Sequence, residues 1–429
     1  MGALFKHGSN LYLAAGEATS VLLRSREVHV AEGRGRTLLV VGGGVFGLTA
    51  ALELRRRGWR VRLLDVAPLP TPGASSTDIS KAVRQDYGAD AFYTDLAGEA
   101  IEGWRAWNAR FGETLYREVG FLLMRRSPFA PGTFEGDSYE MLRARGCPVE
   151  RLDREALRRR FPAWNAELYV DGYFNPRAGW VPSARVVSLL ADEARAAGVV
   201  VHEARSLALV DSGDRVTGVR TASGESLTAD CVLVACGAWT PVLLPELSQV
   251  LRPVAQPVVH LAPADAGPYR APHFPVWAAD ISATGWYGFP ATPEGIVKIG
   301  NHGPGHAVEP TERHELPERD VERCREFLRG TFPALAEAPL VGGRLCFYCD
   351  TPDGDFWIDR HPERAGLVVA AGGSGHGFKF APVLGRIIAN VVEGRPDPHA
   401  SRFAWRTPRP RHAEHARFHG QAGSSAAPQ

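Results

Sequence analysis

The sequence lacks three features that mark specialised classes of protein. It has no run of 18 or more apolar residues, so we expect no membrane-spanning helix. Its six cysteines among 429 residues are too few for a disulfide scaffold, which favours a reducing, cytoplasmic setting. The 49 basic and 48 acidic residues leave a net charge of +1, which provides no overall field for binding nucleic acid or a membrane surface. The length is sufficient for two domains, and the hydrophobic fraction of 45% is ordinary for a globular protein.

The order of apolar runs and glycine-rich turns indicates the fold class. Thr37–Val41 is typical of a short buried parallel strand, 45–56 has helical spacing, and 61–64 is the next strand. Further buried strands are predicted at 231–235 and 366–371. Strands that alternate with helices in this way predict an α/β protein with a Rossmann-like nucleotide-binding domain.

A second kind of segment interrupts this pattern. Residues 253–339 are rich in proline, glycine and aromatics, with alternating stretches such as 295–299, which predicts an inserted substrate domain of mixed or antiparallel sheet. The predicted division is an N-terminal extension at 1–36, a discontinuous nucleotide-binding domain at 37–116, 172–252 and 340–398, a substrate domain at 117–171 and 253–339, and a flexible tail at 399–429.

A dinucleotide-binding fingerprint joins the first strand to the first helix. Gly42, Gly44 and Gly47 fit the pattern that allows a tight turn, close approach of a pyrophosphate, and close helix–strand packing. Asp65 lies 21 positions after Gly44, where a carboxylate suits a ribose hydroxyl pair and disfavours NADP. The alternative is a glycine-rich turn without a ligand, and the motif alone does not separate FAD from NAD.

The C-terminal third contains the more specific motifs. Cys346-Phe347-Tyr348 is followed by a glycine-rich turn at 372–377, which lies between a predicted strand and a predicted helix. Five stretches occur in a consistent order: the fingerprint, Ser75–Tyr87, Cys231–Trp239, Trp286–His302 and Cys346–Pro382. Over residues 37–395 this arrangement resembles the family of monomeric sarcosine oxidase, pipecolate oxidase and fructosyl amino acid oxidase, part of the D-amino acid oxidase-like flavoproteins. The resemblance implies FAD as the cofactor, a monomer, and no metal.

The resemblance also implies which residues hold the flavin. Cys346 matches a cysteine that bonds covalently to the flavin, a reaction that requires its thiolate. The alternatives are a buried structural cysteine, or half of a redox or metal pair with Cys349. The remaining expected cofactor contacts, beyond the fingerprint and Asp65, are Ser76, Lys81, Gly237, Gly373, Gly375, His376, Gly377 and Lys379.

Three cations match family positions that act on substrate and oxygen. Arg84 and Lys379 match a clamp for the substrate carboxylate, and Lys298 matches the lysine that activates oxygen beside the flavin. Exposed surface cations are the alternative in each case. The aromatic positions implied to line the substrate cavity, where packing alone is the alternative, are Tyr287, His302 and Tyr348. Lys81 stands where sarcosine oxidase has arginine and fructosyl amino acid oxidases tend to have lysine, so sarcosine itself is not favoured.

Together these residues predict an FAD-dependent amine oxidase. It would oxidise the C–N bond of a carboxylate-bearing secondary amino acid to an imine and reduce oxygen to hydrogen peroxide. N-methyl amino acids, cyclic imino acids, saccharopine-like adducts and sugar-modified amino acids all suit such a clamp. Two alternatives stay open: a dehydrogenase with another electron acceptor, and a flavin-binding protein without catalysis.

Overall fold

The computed structural model describes residues 35–407 and Arg417. The predicted N-terminal extension, apart from its last two residues, and most of the predicted tail lie outside these residues. In the described part of the chain, no helix has both the length and the apolar character needed to cross a membrane.

The described residues form strands and helices in alternating groups. The strands are β1 (Thr37–Val41), β2 (Arg60–Asp65), β3 (Lys81–Val83), β4 (Phe121–Arg125), β5 (Glu150–Asp153), β6 (Asp171–Asn175), β7 (Gly179–Val181), β8 (Val200–Glu203), β9 (Ser206–Ser212), β10 (Arg215–Thr221), β11 (Ser226–Thr228), β12 (Cys231–Val234), β13 (Arg252–Leu261), β14 (Val276–Ala279), β15 (Trp286–Gly288), β16 (Val297–Asn301), β17 (His306–Ala307), β18 (Leu340–Asp350), β19 (Trp357–Arg360) and β20 (Leu367–Ala371). The helices are α1 (Val45–Arg56), α2 (Ala91–Phe111), α3 (Phe134–Ala144), α4 (Arg154–Arg160), α5 (Ser183–Ala196), α6 (Thr240–Leu243), α7 (Ile281–Thr284), α8 (Glu318–Thr331), α9 (Pro333–Ala336), α10 (Ala381–Glu393) and α11 (Ala400–Phe403).

A six-stranded sheet forms the nucleotide-binding half of the fold. Its strand order is β19-β20-β12-β1-β2-β8, and every pair is parallel except β19 with β20. Side chains alternate along a strand, so Leu38 and Val40 pack into a core shared with α1, α2, α5 and α10. Leu39 and Val41 pack on the opposite face, in a core shared with β10 and β11. The predicted α/β class and Rossmann-like arrangement are confirmed.

A nine-stranded sheet forms the other half. Its order is β17-β13-β16-β15-β14-β4-β6-β5, with β18 also paired to β13. Only β14 and β4 run parallel, so the sheet is mixed, as predicted. The helix α8 covers part of this sheet through Phe327 and Leu328, which join its apolar core.

Two predicted domain boundaries are wrong in position. The strands β6 and β18 were expected to belong largely to the nucleotide-binding domain, but both lie in the nine-stranded sheet. The strand β18 pairs with β13 along its length, from Arg252 opposite Asp350 to Leu261 opposite Leu340. Backbone N–H and C=O groups of a buried strand need partners, and β13 provides them for β18. The sequence does not reveal which strand supplies those partners.

The predicted flexible tail is wrong for residues 400–407. The helix α11 buries Phe403 completely, and the Trp405 ring packs against the Trp357 ring with 5.3 Å between centroids. Arg406 forms an ion pair with Asp353 at 2.8 Å. This segment is rich in polar residues, but its few aromatic and arginine side chains find apolar and acidic partners in the fold.

Candidate functional site

A cavity of about 480 Å³ opens at the carboxyl ends of the parallel strands β1, β2, β12 and β20. Ligands of open α/β sheets bind at this edge, outside the ends of the strands. The predicted site residues on its walls are Gly42, Gly44, Asp65, Ser76, Lys81, Gly237, Cys346, Tyr348, Gly373, Gly375 and Gly377. Residues from distant parts of the sequence therefore share one cavity, which joins the fingerprint to the C-terminal motifs.

The fingerprint turn brings bare backbone to the cavity. Gly42 has a φ of +106°, and a Cβ there would lie 2.5 Å from the carbonyl oxygen of Ala235. Gly47 is not on the cavity wall; a Cβ at this position would collide with the Gly42 carbonyl oxygen. The backbone N–H of Val45 donates to the Ser76 hydroxyl at 3.1 Å, so the first turn of α1 faces the same cavity.

Asp65 ends β2, as predicted, and its carboxylate is held by the turn. It accepts hydrogen bonds from the Gly43 N–H at 2.5 Å and from the Thr71 hydroxyl at 2.8 Å. These contacts fix the orientation of the carboxylate at the cavity wall, where it can also accept from ribose hydroxyls.

Cys346 lies on the cavity wall beside a cation. The Lys81 Nζ lies 3.5 Å from the Cys346 Sγ. Cys346 and Cys349 are not joined by a disulfide, and burial raises the pKa of the Cys349 thiol to about 12, which keeps it neutral. Of the two thiols, Cys346 is the one placed next to an ammonium group.

Two aromatic residues, Tyr287 and His302, contact Tyr348, which lies on the cavity wall two positions after Cys346. The Tyr287 and Tyr348 side chains are hydrogen-bonded to each other, and burial raises the pKa of both phenols, which therefore stay protonated. The His302 and Tyr348 ring centroids are 5.9 Å apart. Gly375 passes so close to this cluster that a Cβ would collide with the Tyr348 ring.

Lys298 is a buried cation rather than an exposed strand lysine. Only 1% of it is exposed, and its Nζ donates to the Asp78 Oδ2 at 2.7 Å and to the Ser80 carbonyl at 2.5 Å. Burial lowers the pKa of Lys298 to about 8, although the Asp78 carboxylate acts in the opposite direction. The Nζ also lies 4.8 Å from the centre of the Phe289 ring. A lysine in this environment can change its charge near neutral pH.

Arg84 and Lys379 are both buried, and both contact Tyr87. The Lys379 Nζ donates to the Tyr87 hydroxyl at 2.8 Å and to the His376 carbonyl at 3.2 Å. The Arg84 Cζ and the Lys379 Nζ lie 5.4 Å and 5.0 Å from the centre of the Tyr87 ring, and Arg84 donates to the Asp86 carbonyl. The fold therefore brings two cations that are 295 positions apart in the sequence to one aromatic side chain.

The cavity fits FAD. Its walls extend from Asp65 and the fingerprint to Cys346 and Tyr348, so one end offers ribose and phosphate contacts and the other an apolar, aromatic surface. Gly237 has a φ of +54°, and a Cβ there would meet nothing within 4 Å, which leaves open space beside the backbone. Such bare backbone allows a flat ring system to approach closely.

Several polar partners in this site carry no sequence motif that indicates them, namely Asp78, Asp86, Tyr87 and His260. The same is true of Arg417, which lies against Tyr348 and forms an ion pair with Asp350 at 2.6 Å. One simple signal was available for the cations. Only four of the 49 basic residues are lysines, and three of these four are Lys81, Lys298 and Lys379.

Comparison with known proteins agrees with this geometry. The profile of the DAO family, described as FAD dependent oxidoreductase, matches residues 37–391. Monomeric sarcosine oxidase from Bacillus sp. (strain B-0618) is 29% identical over 362 residues, which cover 83% of this chain and 91% of that protein. L-saccharopine oxidase from Schizosaccharomyces pombe is 29% identical over 427 residues, with coverage of 86% and 96%. The crystal structure of fructosamine oxidase (Amadoriase II) from Aspergillus fumigatus has a TM-score of 0.78 and 28% identity, with coverage of 91% and 95%. This chain belongs to the DAO family of FAD-dependent oxidoreductases.

Proposed function

We propose that this protein is an amine oxidase that uses FAD to oxidise the C–N bond of a carboxylate-bearing secondary amino acid. The substrate loses two electrons and two protons to become an imine, and oxygen gains them to become hydrogen peroxide. The observation that carries this proposal is a cavity suited to a flavin whose wall includes Lys81 and Cys346, two groups that also act on the buried Lys298. Two further buried cations, Arg84 and Lys379, meet at the Tyr87 ring.

Arg84 and Lys379 would bind the substrate carboxylate. A guanidinium offers paired donors to a carboxylate, and an ammonium adds a compact charge. Both side chains are buried, so an anion between them would be shielded from water and bound more strongly than on the surface. Both cations also contact the buried Tyr87 ring, which holds them near each other.

The substrate amine must be neutral to react, because its lone pair is needed when the C–N bond is oxidised. Bound FAD would accept the two electrons, and the chain would orient the amine and exclude water. Tyr348, which lines the cavity and contacts Tyr287 and His302, would form with them an aromatic wall for this purpose. No carboxylate is assigned as a general base.

Lys298 would act on the oxygen side of the reaction. Its ammonium form would stabilise the negative charge that oxygen acquires when it takes up the first electron. Cys346, with Lys81 at 3.5 Å from its sulfur, would hold the flavin covalently. The C–S bond would replace the S–H bond of the thiol and a C–H bond of a flavin methyl group, and the two electrons and two protons released would pass to the flavin and then to oxygen.

The substrate would carry a substituent on its amino nitrogen. The similar proteins are named for the oxidation of sarcosine, saccharopine and fructosamine. Because Lys81 resembles the fructosyl amino acid oxidases at this position, sarcosine itself is not the favoured substrate. We also propose a monomer in the cytoplasm; size-exclusion chromatography with light scattering tests the first and fractionation of the source cells tests the second.

A peroxide-coupled screen of the purified, FAD-loaded protein tests the proposal. The panel contains N-methyl, cyclic, carboxyalkyl and fructosyl amino acids, each compared with its carboxamide. We expect peroxide from at least one acid, a much weaker response from its amide, and loss of the response in Lys379→Met. Arg159→Met is the matched control because Arg159 is an exposed cation of α4, 71% accessible, and no residue of that helix lines the cavity.

Two outcomes would overturn this proposal. Flavin that is reduced without air by a substrate, but gives no peroxide in air, would indicate a dehydrogenase with another acceptor. Bound flavin that no member of the panel reduces would indicate a flavin-binding protein without this activity.

A further inference from the structure

Asp78 occupies a central position among the buried charges near Cys346. Its side chain is completely buried and lies in the segment that precedes β3. The Oδ2 atom is 2.7 Å from the Lys298 Nζ and 3.8 Å from the Lys81 Nζ, and the Oδ1 atom is 3.5 Å from the His260 Nε2. One carboxylate therefore faces two ammonium groups and an imidazole.

These partners come from three strands that the fold brings together. Lys81 begins β3, His260 is on β13, and Lys298 is on β16. His260 and Lys298 are directly opposite each other in the antiparallel pairing of β13 with β16. Asp78 is connected to all three strands, and its own backbone carbonyl accepts hydrogen bonds from Ser183 and Ala184 at the start of α5.

If Asp78 were absent, the surroundings of Lys298 would disfavour its ammonium form. Burial disfavours a charged lysine, and the nearby Lys81 ammonium repels it. Asp78 opposes both effects, as does any negative charge on the Cys346 thiol, which faces Lys298 from β18. Burial alone would raise the pKa of Asp78, but Lys298, His260 and Lys81 hold it well below its ordinary range, so the carboxylate is ionised.

We propose that Asp78 is a positioning residue for the oxygen reaction: it holds the Lys298 Nζ in place and keeps it charged at neutral pH. This inference rests on the proposed role of Lys298. Without the carboxylate, Lys298 would keep the Ser80 carbonyl and the Phe289 ring as neighbours that favour its charged form, together with any negative charge on the Cys346 thiol.

Asp78→Asn tests the inference because it keeps the shape of the side chain and removes its charge. The lysine content makes a direct measurement feasible. The chain has four lysines, so protein labelled with ¹³Cε-lysine gives four lysine signals, and Lys298→Met identifies the one from Lys298. This titration is performed on the flavin-free protein and does not depend on turnover.

We expect the Lys298 signal to titrate near pH 8 in the parent protein and about one unit or more lower in Asp78→Asn. In the FAD-loaded protein, reoxidation by oxygen at pH 8 should slow by about fivefold, because the charged fraction of Lys298 falls accordingly. Anaerobic reduction by substrate should change far less. Asp397→Asn is the matched control, since Asp397 is also a buried carboxylate and pairs with Arg386 at 2.6 Å, outside the cavity.

The outcomes separate the two proposals. If Lys298→Met reoxidises as fast as the parent protein, the proposed role of Lys298 is wrong. If Lys298→Met is slow but Asp78→Asn changes neither the Lys298 titration nor reoxidation, only the role of Asp78 is wrong. If Asp78→Asn does not fold, Asp78→Glu replaces it. A Lys298 signal that still titrates near pH 8 in this variant supports the inference. A Lys298 pKa that falls by about one unit, although the negative charge is retained, refutes it.

Discussion

Three glycine-to-alanine substitutions measure separately the backbone strain and the steric collision that glycine avoids in the fingerprint turn. Gly58 has a φ of +89° and open space around it, so Gly58→Ala introduces backbone strain alone. Gly47 is helical, so Gly47→Ala introduces a collision with the Gly42 carbonyl alone. Gly42→Ala introduces both, because φ is +106° and the Ala235 carbonyl oxygen would lie 2.5 Å from the new Cβ.

The expected magnitudes follow from these two terms. Alanine in a left-handed conformation costs about 1–2 kcal/mol, and overpacking beside rigid backbone costs about 1–3 kcal/mol. We therefore expect the free energy of unfolding to fall by about 1–2 kcal/mol in Gly58→Ala, about 1–3 kcal/mol in Gly47→Ala, and about 2–5 kcal/mol in Gly42→Ala.

Urea unfolding of the flavin-free proteins measures these differences, and the flavin-to-protein absorbance ratio of the loaded proteins measures binding. Gly58→Ala should keep its flavin because Gly58 lies outside the cavity. Gly42→Ala should lose most of it because the turn must move. The reasoning fails if Gly42→Ala is no less stable than Gly58→Ala, or if it binds flavin as fully as the parent protein.

Three further outcomes concern the chemistry of the site. The ammonium form of Lys298 is present below its pKa of about 8 and lost above it. The rate constant of flavin reoxidation, measured by stopped flow, should therefore be about tenfold lower at pH 9 than at pH 7. A rate constant that does not change with pH would contradict this. Acid precipitation should leave flavin bound to the parent protein and to Cys349→Ala but release it from Cys346→Ala; free flavin from the parent protein would exclude the covalent bond. Lys379→Met should raise KM for a carboxylate substrate by about 10- to 100-fold, since a charge-assisted hydrogen bond is lost. An equal rise in KM for the matching amide would contradict the role of Lys379 in binding the carboxylate.

Much of the nucleotide-binding half could be predicted because its signals are local. The predicted bounds of β1 and α1 match the structure, and Asp65 ends β2 as expected. Each depends on a short apolar run next to glycine, which the sequence displays directly. The boundary at β18 could not be found this way, because it depends on pairing with β13, about 90 positions earlier in the sequence.

The candidate site shows the same contrast. Lys298 and Lys379 could be singled out from a resemblance to known motifs, and the structure shows that both are buried rather than exposed surface cations. Asp78 and His260 could not, because neither belongs to a motif that requires a charge. They meet Lys298 only through the register of β13 and β16 and through the path of the chain before β3.

The few lysines of this chain are concentrated in the candidate site. Arginine supplies nearly all of the basic residues and forms the exposed ion pairs, while three of the four lysines lie in the candidate site. Arginine stays charged in any protein environment, whereas the pKa of a buried lysine can move into the physiological range. Lys298, with a pKa of about 8 beside the ionised Asp78, lies at the point where small changes in surroundings alter its charge. An arginine there could bind an anion but could not respond in this way, which is a physical reason for lysine at this position in a chain that otherwise uses arginine.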